Sequence, residues 1–441
     1  VATGQIDFLN VIKGHIDTDV ALSHVIPGMG TRSAPSLDFA GDVRSATQFP
    51  VFHAARIQDV ATARHAIATG KLDMVGMTRA HMADPHIARK VMEGREHEIR
   101  PCVGMGYCID RIYFGGEALC IHNPATGREA SIPHVITKSA ASPKKIVVIG
   151  AGPAGLEAAR VASARGHSVT LFEAADKAGG QVLLTAALKR RREIMGIIDW
   201  RVAECERQGA TFRFNTYAET DDVLAEHPDH VIIATGGNKS SGGLAIAESF
   251  GHSIVPPVPS LFTFHITDPR LTELSGISVE NAAVTAPGTK LKTDGPVLIT
   301  HAGLSGPGIL KLSAWGAREF AEQNYAFPVA LNWVPPHTRD SLIKALSIVR
   351  EQNARKQVTT FSPVAMPQRL WERFVIAAGI PTTTPWAHVS NPSLQALATQ
   401  LTSAEFKVDG KSMFKDEFVT CGGVKLSEVD FKTMESRKTP G

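Results

Sequence analysis

KIVVIGAGPAGLEAARVASARGHSVTLFE, residues 145–173, is the stretch from which the rest of the chain takes its meaning. Residues 146–149 form a continuous apolar run, as expected of a strand covered on both faces. Gly150, Gly152 and Gly155 follow at G-x-G-x-x-G spacing, with Pro153 and Ala154 inside the motif. Residues 156–165 favour a helix that Gly166 ends, and residues 168–172 read as a second buried strand closing on Glu173. In such a unit the first glycine permits a tight turn, the second lets backbone approach a pyrophosphate, and the third lets helix and strand pack closely. The helix N-terminus offers unpaired N–H groups and partial positive charge to the phosphates. Glu173 is then placed for a ribose hydroxyl pair. The position between strand and helix, with an acid at the end of the next strand, is what gives the motif its weight.

The remaining strands fit the same unit. Ala178-Gly179-Gly180-Gln181 follows the acid, residues 194–207 read as a helix, and 210–217 as a strand. Residues 230–234 are a buried strand running into Thr235-Gly236-Gly237. Together they make a nucleotide-binding half-domain over 144–237.

The chain has 441 residues, room for two to four domains. A hydrophobic content of 43% with 20% charged residues describes a globular protein, and a net charge of +3 is too small to argue for nucleic acid or an anionic membrane. No apolar run approaches membrane-spanning length and no secretory leader is evident, so a cytoplasmic location is expected. Cys102, Cys108, Cys120, Cys205 and Cys421 make an odd total, which argues for reduced thiols and, with three of them close together, for a metal cluster.

Upstream, residues 6–12, 49–54 and 72–75 read as strands, with helices over 59–68 and about 85–92. Arg56 and Arg79 stand just past the second and third of these strands. In a (β/α)8 barrel that end of the strands holds the active site, and the last loops bind phosphate. Two arginines and the soft backbone at Gly76 suit a phosphate monoester such as that of FMN. His15 and Asp17 follow the first strand on the same side, without further support for a catalytic role.

Residues 53–113, HAARIQDVATARHAIATGKLDMVGMTRAHMADPHIARKVMEGREHEIRPCVGMGYCIDRIY, resemble the flavin-dependent reductases of the old yellow enzyme class. The branch is that of trimethylamine dehydrogenase, 2,4-dienoyl-CoA reductase and N-methylproline demethylase, and the resemblance runs over about 6–237. It implies that Arg56, Gly76 and Arg79 hold an FMN phosphate, and that Gly180, Gln181, Thr235 and Gly236 lie beside FAD. It also implies an iron–sulfur cluster on Cys102, Cys108 and Cys120, with Met105 where a further cysteine is expected. A thioether lacks the charge of a thiolate, which leaves open a complete cluster, a three-iron cluster, a non-cysteine ligand or an empty site. A whole barrel needs about 250 residues, and three strands are present, so weak FMN retention is expected.

After residue 237 no second glycine fingerprint follows. GGLAIAESFGHSIVPPVPSL (242–261), PVLITHAGLSGPGILKLSAWGA (296–317) and FVTCGGVKLSEVDFKTMESRKTPG (418–441) instead resemble the bacterial aminoacetone-oxidase-like flavoproteins. Here Ser305 reads as an N-cap and Pro307 as a first-turn proline. Residues 339–350 and 367–378 read as amphipathic helices, and Cys421 as part of a glycine-rich turn.

The expected fold class is α/β: the C-terminal part of a (β/α)8 barrel over 1–100, an iron–sulfur segment and linker over 101–143, the Rossmann-type FAD domain over 144–237, and a mixed β-barrel and helical domain of insertion type over 238–441. The expected activity is that of a flavin-dependent oxidoreductase using FAD, FMN and an iron–sulfur cluster on a small-molecule substrate. NAD(P)H as a partner and a homo-oligomer are left open. The alternatives are an aminoacetone-oxidase-like FAD protein and an inactive nucleotide-binding hybrid.

Overall fold

A computed structural model describes residues 5–237, 242–411 and 419–439. They divide into two compact units: 5–236 with 242–251 and 430–439, and 237 with 252–411 and 419–429.

The first unit holds two parallel sheets. β1 (Leu9–Val11), β2 (Val51–Ala54) and β3 (Met74–Gly76) pair in chain order, with Val11 opposite His53 and His53 opposite Val75. Between β2 and β3 runs the helix Val60–Ala68, which starts where expected because Asp59 caps it: its carboxylate accepts the Thr62 N–H at 2.7 Å. The three strands are thus a partial barrel, with a small core of Ala34, Leu37, Ala40, Val51, Ile57, Ala63, Ala66 and Leu72.

The second sheet is the nucleotide-binding one. β4 (Lys145–Ile149), β5 (Ser168–Phe172), β6 (Thr211–Arg213) and β7 (His230–Ile233) stand in the order β6-β5-β4-β7, all parallel. Ile146, Val147, Val148 and Ile149 are all buried, as a central strand covered on both faces requires. The helix following β4 starts at Pro153 rather than 156, because proline is preorganised for a first turn and has no N–H to waste there. The helix Gly196–Arg207 packs beside it.

In the second unit, β8 (Ile254–Ser260), β9 (Phe264–His265), β10 (Ser278–Thr285), β11 (Lys292–Thr300), β12 (Gly303–Ser305), β13 (Phe327–Asn332), β14 (Ala404–Val408), β15 (Gly410–Lys411) and β16 (Val419–Val424) are antiparallel. Seven form one sheet in the order β14-β13-β10-β11-β12-β9-β15, and β8 pairs with β16. The helices Arg339–Gln352, Gln368–Ala377 and Asn391–Thr402 bury Trp371, Phe374 and Leu397 in a core shared with Trp333, Trp386, Phe320 and Phe264.

Two local expectations are corrected here. Ser305 is no N-cap: it ends β12, its hydroxyl accepts the Thr263 hydroxyl proton at 3.0 Å, and Gly306 at φ +94° takes the cap position before Pro307. Cys421 lies in β16, not in a turn; its neighbouring glycines make a bulge between Cys421 and Gly423 instead. Both misreadings have one cause. Glycine-rich runs look like turns until a distant strand supplies the pairing.

Candidate cofactor-binding site

The glycine motif folds as its spacing demands. Gly150 has φ +103°, and a Cβ on it would lie 2.6 Å from the Ala234 carbonyl oxygen. A Cβ on Gly155 would lie 1.8 Å from the Gly150 oxygen, so no side chain fits there at all. Gly152 is the reverse: a Cβ would meet nothing within 4 Å, and the backbone there borders open space. The helix Pro153–Ala164 begins at that point, and no side chain caps it. The first-turn N–H groups at Ala154 and Gly155 are therefore left to an anion.

The other expected residues gather around this turn. Gly180, at φ +51° and ψ −132°, lies close to Gly152, so that a Cβ on it would be 3.4 Å from the Gly152 Cα, and the Gly179 N–H donates to the Ala151 carbonyl at 2.9 Å. Gln181 opens the helix Gln181–Ala186. Thr235 follows the Ala234 carbonyl that presses on Gly150, and Gly236 at φ +75° again borders open space. Glu173 stands at the end of β5, where its carboxylate accepts the Ala151 N–H at 2.7 Å and the Ala175 N–H at 2.9 Å. An ionised carboxylate has about four acceptor sites, so these bonds orient Glu173 without exhausting it for ribose hydroxyls. A pyrophosphate and an adenosine ribose fit this donor set: open space beside Gly152, uncapped N–H groups and a held acid.

The partial barrel is arranged differently. Ala55 and Arg56 both adopt positive φ, +137° and +55°, a strained pair just past β2 that turns the Arg56 side chain inward until it is 2% exposed. There its Nη2 donates to both oxygens of Glu193, at 2.5 and 2.6 Å, and its Nε to the Thr31 carbonyl at 2.7 Å. Arg79 donates to the Pro27 carbonyl at 2.9 Å. Burial lowers its pKa, the Cys102 and Cys108 thiols oppose that, and the Arg56 charge adds to it. Gly76 lies against Ala54, so that a Cβ there would be 2.8 Å from the Ala54 Cβ. The guanidinium fork expected to hold an FMN phosphate is thus already taken by a carboxylate, and an FMN phosphate does not fit this arrangement of Arg56. His15 and Asp17 are exposed and face each other at 3.3 Å.

Cys102, Cys108 and Cys120 line one small pocket together with Arg79, Met105 and His122. Burial raises the pKa of Cys102 and Cys108, while Arg79 draws both down. Yet among the described residues no three His, Cys, Asp or Glu side chains are placed to hold a metal ion. The three thiols share a pocket without forming a ligand set, and Met105 adds no charge to complete one. Sequence reasoning missed Glu193, whose exposed stretch of basic neighbours gave no hint of a buried partner. It also missed Gly243, where a Cβ would come 2.2 Å from the Thr235 hydroxyl oxygen.

Comparison with known proteins places these parts. Residues 144–252 match the pyridine nucleotide-disulphide oxidoreductase family, and residues 258–419 match the HI0933-like protein barrel and H2TH domain. A probable N-methylproline demethylase of Rhizobium meliloti is 65% identical over 53% of this chain and 34% of its own length. A multifunctional alkene reductase/demethylase of Caballeronia cordobensis is 52% identical over 56% of this chain and 36% of its own. An N,N-dimethylglycine/sarcosine dehydrogenase of Chromohalobacter salexigens is 46% identical over 54% and 34%. The chain therefore spans about a third of the length of these relatives. It is a hybrid, similar to the demethylase group in one part and to the HI0933-like proteins in another. Among the described residues no helix is long and apolar enough to cross a membrane.

Proposed function

We propose that this chain is a flavin-dependent oxidoreductase that holds FAD along the turn between β4 and the helix Pro153–Ala164. The observation that carries the reading is the pair Gly155 and Gly152: one has no room for a Cβ, and the other borders open space at an uncapped helix end. Bound FAD supplies two-electron acceptance from a small-molecule substrate. The residues then divide the work of binding. The Ala154 and Gly155 N–H groups take the pyrophosphate, Glu173 takes the ribose, and Gly180, Gln181, Thr235 and Gly236 form the walls.

For the substrate class the names of the relatives point to small amines carrying N-methyl groups, with NAD(P)H a candidate partner. No step is assigned to FMN or to an iron–sulfur cluster, because Arg56 is engaged by Glu193 and the three cysteines do not form a ligand set. A second reading, an aminoacetone-oxidase-like protein using FAD alone, is favoured by the match over residues 258–419. Flavin analysis and amine turnover of the purified protein separate the two. FAD with turnover of an N-methylated amine supports the first, and FAD without amine turnover supports the second. Protein that takes up no FAD at saturating concentration refutes both.

A further inference from the structure

In the second unit the large sheet leaves a gap. β10 pairs with β13 only from Ala283 to Thr285. Past Asn332 the chain of β13 has no donors left for β10. The Trp333 N–H goes to the Leu401 carbonyl at 2.8 Å and the Val334 N–H to the Asn332 side chain at 2.9 Å, while Pro335 and Pro336 have none. Residues 363–367, which lead into the helix Gln368–Ala377, also line this gap. The resulting cleft has a volume of about 450 Å3, a size typical of small-molecule sites.

Its lining has two characters. Pro335, Pro336, Pro363 and Pro367, with Val364 and Met366, supply an apolar wall. Proline rings hold their φ fixed, so little freedom is lost when a ligand settles on them. The polar groups come from β10, where a bulge delivers them. The register with β11 shifts between Val279 and Ala282. Val279 and Ala282 are both buried, and Glu280 and Asn281 between them are both exposed. A regular strand would send one of that middle pair inward. The bulge instead brings a carboxylate and an amide together into the lining of the cleft. Among the described residues neither group has a hydrogen-bond or ion-pair partner. No lysine or arginine lines the cleft, and His337 is its one other ionisable side chain.

We propose that this cleft binds a small amine with an apolar, ring-sized body. The ammonium group donates to the Glu280 carboxylate and the Asn281 amide oxygen, and the body lies against the proline wall. A carboxylate in the ammonium's place would face Glu280 with like charge and find no lysine or arginine to answer it. The site is independent of the flavin crevice, whose residues all belong to the first unit.

The test is calorimetric titration of the full chain with 2-phenylethylamine, 2-phenylethanol and phenylacetate, which share a ring and differ in the head group. The amine is expected to bind most tightly and phenylacetate most weakly. Glu280→Gln is expected to lower amine affinity about two- to fivefold, the worth of one solvent-facing ion pair, and to leave the alcohol unchanged. Ala365→Trp, at an exposed position of the lining, crowds the cleft and is expected to abolish binding of both. An amine that binds no better than phenylacetate overturns the proposal. So does an amine affinity that neither substitution changes, since the ligand is then bound elsewhere. Loss in Ala365→Trp without any loss in Glu280→Gln overturns the ammonium assignment. Hydrogen exchange of the unaltered protein gives a measure that needs no variant. Saturating amine is expected to slow exchange at residues 278–282 and 364–366, and unchanged rates there also overturn the site. An amine acting only as a substrate at the flavin is insensitive to both substitutions, so failure here leaves the FAD reading intact.

Discussion

At the scale of single residues, two glycines of one motif are open to opposite substitutions. Gly152→Ala places a methyl in space that no protein atom uses, at φ −72°, which alanine adopts freely. It is expected to fold normally and to lose FAD, because the methyl stands where the pyrophosphate must approach. Gly155→Ala places a methyl 1.8 Å from a carbonyl oxygen and is expected to lose both stability and FAD. Thermal melting with and without FAD checks both. A Gly152→Ala protein that binds FAD like the parent refutes the assignment of the crevice. Glu157 shows what a buried charge does in the same helix. Burial alone raises its pKa, but the hydrogen bond and charge of Arg160, with the charges of Arg201 and Arg100, hold the carboxyl at about 2. Its folded pKa is therefore below the unfolded value. The stability it contributes is complete above about pH 4.5 and is lost as pH falls toward 2. Glu157→Gln is expected to cost about 3 kcal/mol at pH 7, leaving the arginines uncompensated. Urea denaturation of parent and variant at pH 7 and pH 3 should show that gap narrowing in acid; a constant gap contradicts the assignment.

At the scale of elements, local chemistry decides the ends and distant pairing decides the lengths. Asp59 caps the helix Val60–Ala68 through the Thr62 N–H and hydroxyl, at 2.7 and 2.8 Å. Asp59→Ala is expected to destabilise the first unit by about 1 kcal/mol, as measured by denaturant titration. No loss at all means the helix is held by packing on β3 instead. The strands of the partial barrel are shorter than their apolar runs, three residues in β1 against an expected seven, because pairing continues only where β2 offers partners. The seam between the two resembled families falls beside the helix Gly242–Ser249, where Gly243 gives Thr235 room. Chain from one family is thereby accommodated next to a turn from the other.

At the scale of the whole molecule, each unit has its own core. The cluster of Phe264, Phe320, Trp333, Trp371 and Trp386 is drawn entirely from the second unit. Residues 252–429 expressed alone are therefore expected to unfold in one cooperative step, followed by tryptophan fluorescence in urea. A broad, non-cooperative loss of signal means the core is incomplete without the rest of the chain. All flavin-binding features described here lie in the first unit, so the isolated second unit is expected to take up no FAD.

The amino-acid order by itself determined the parallel nucleotide sheet, the glycine turn and the acid at Glu173, along with the join between two flavoprotein families. The sheet, the turn and the acid depend on backbone conformations and apolar periods set by residues close in the chain, whereas the join rests on resemblance to the two families. Only the tertiary structure decided that Arg56 holds Glu193, that Ser305 ends a strand, and that three cysteines share a pocket without making a ligand set. Those outcomes turn on which distant group reaches a buried donor first. Desolvation makes that competition severe, and nothing in the local order of residues records the result.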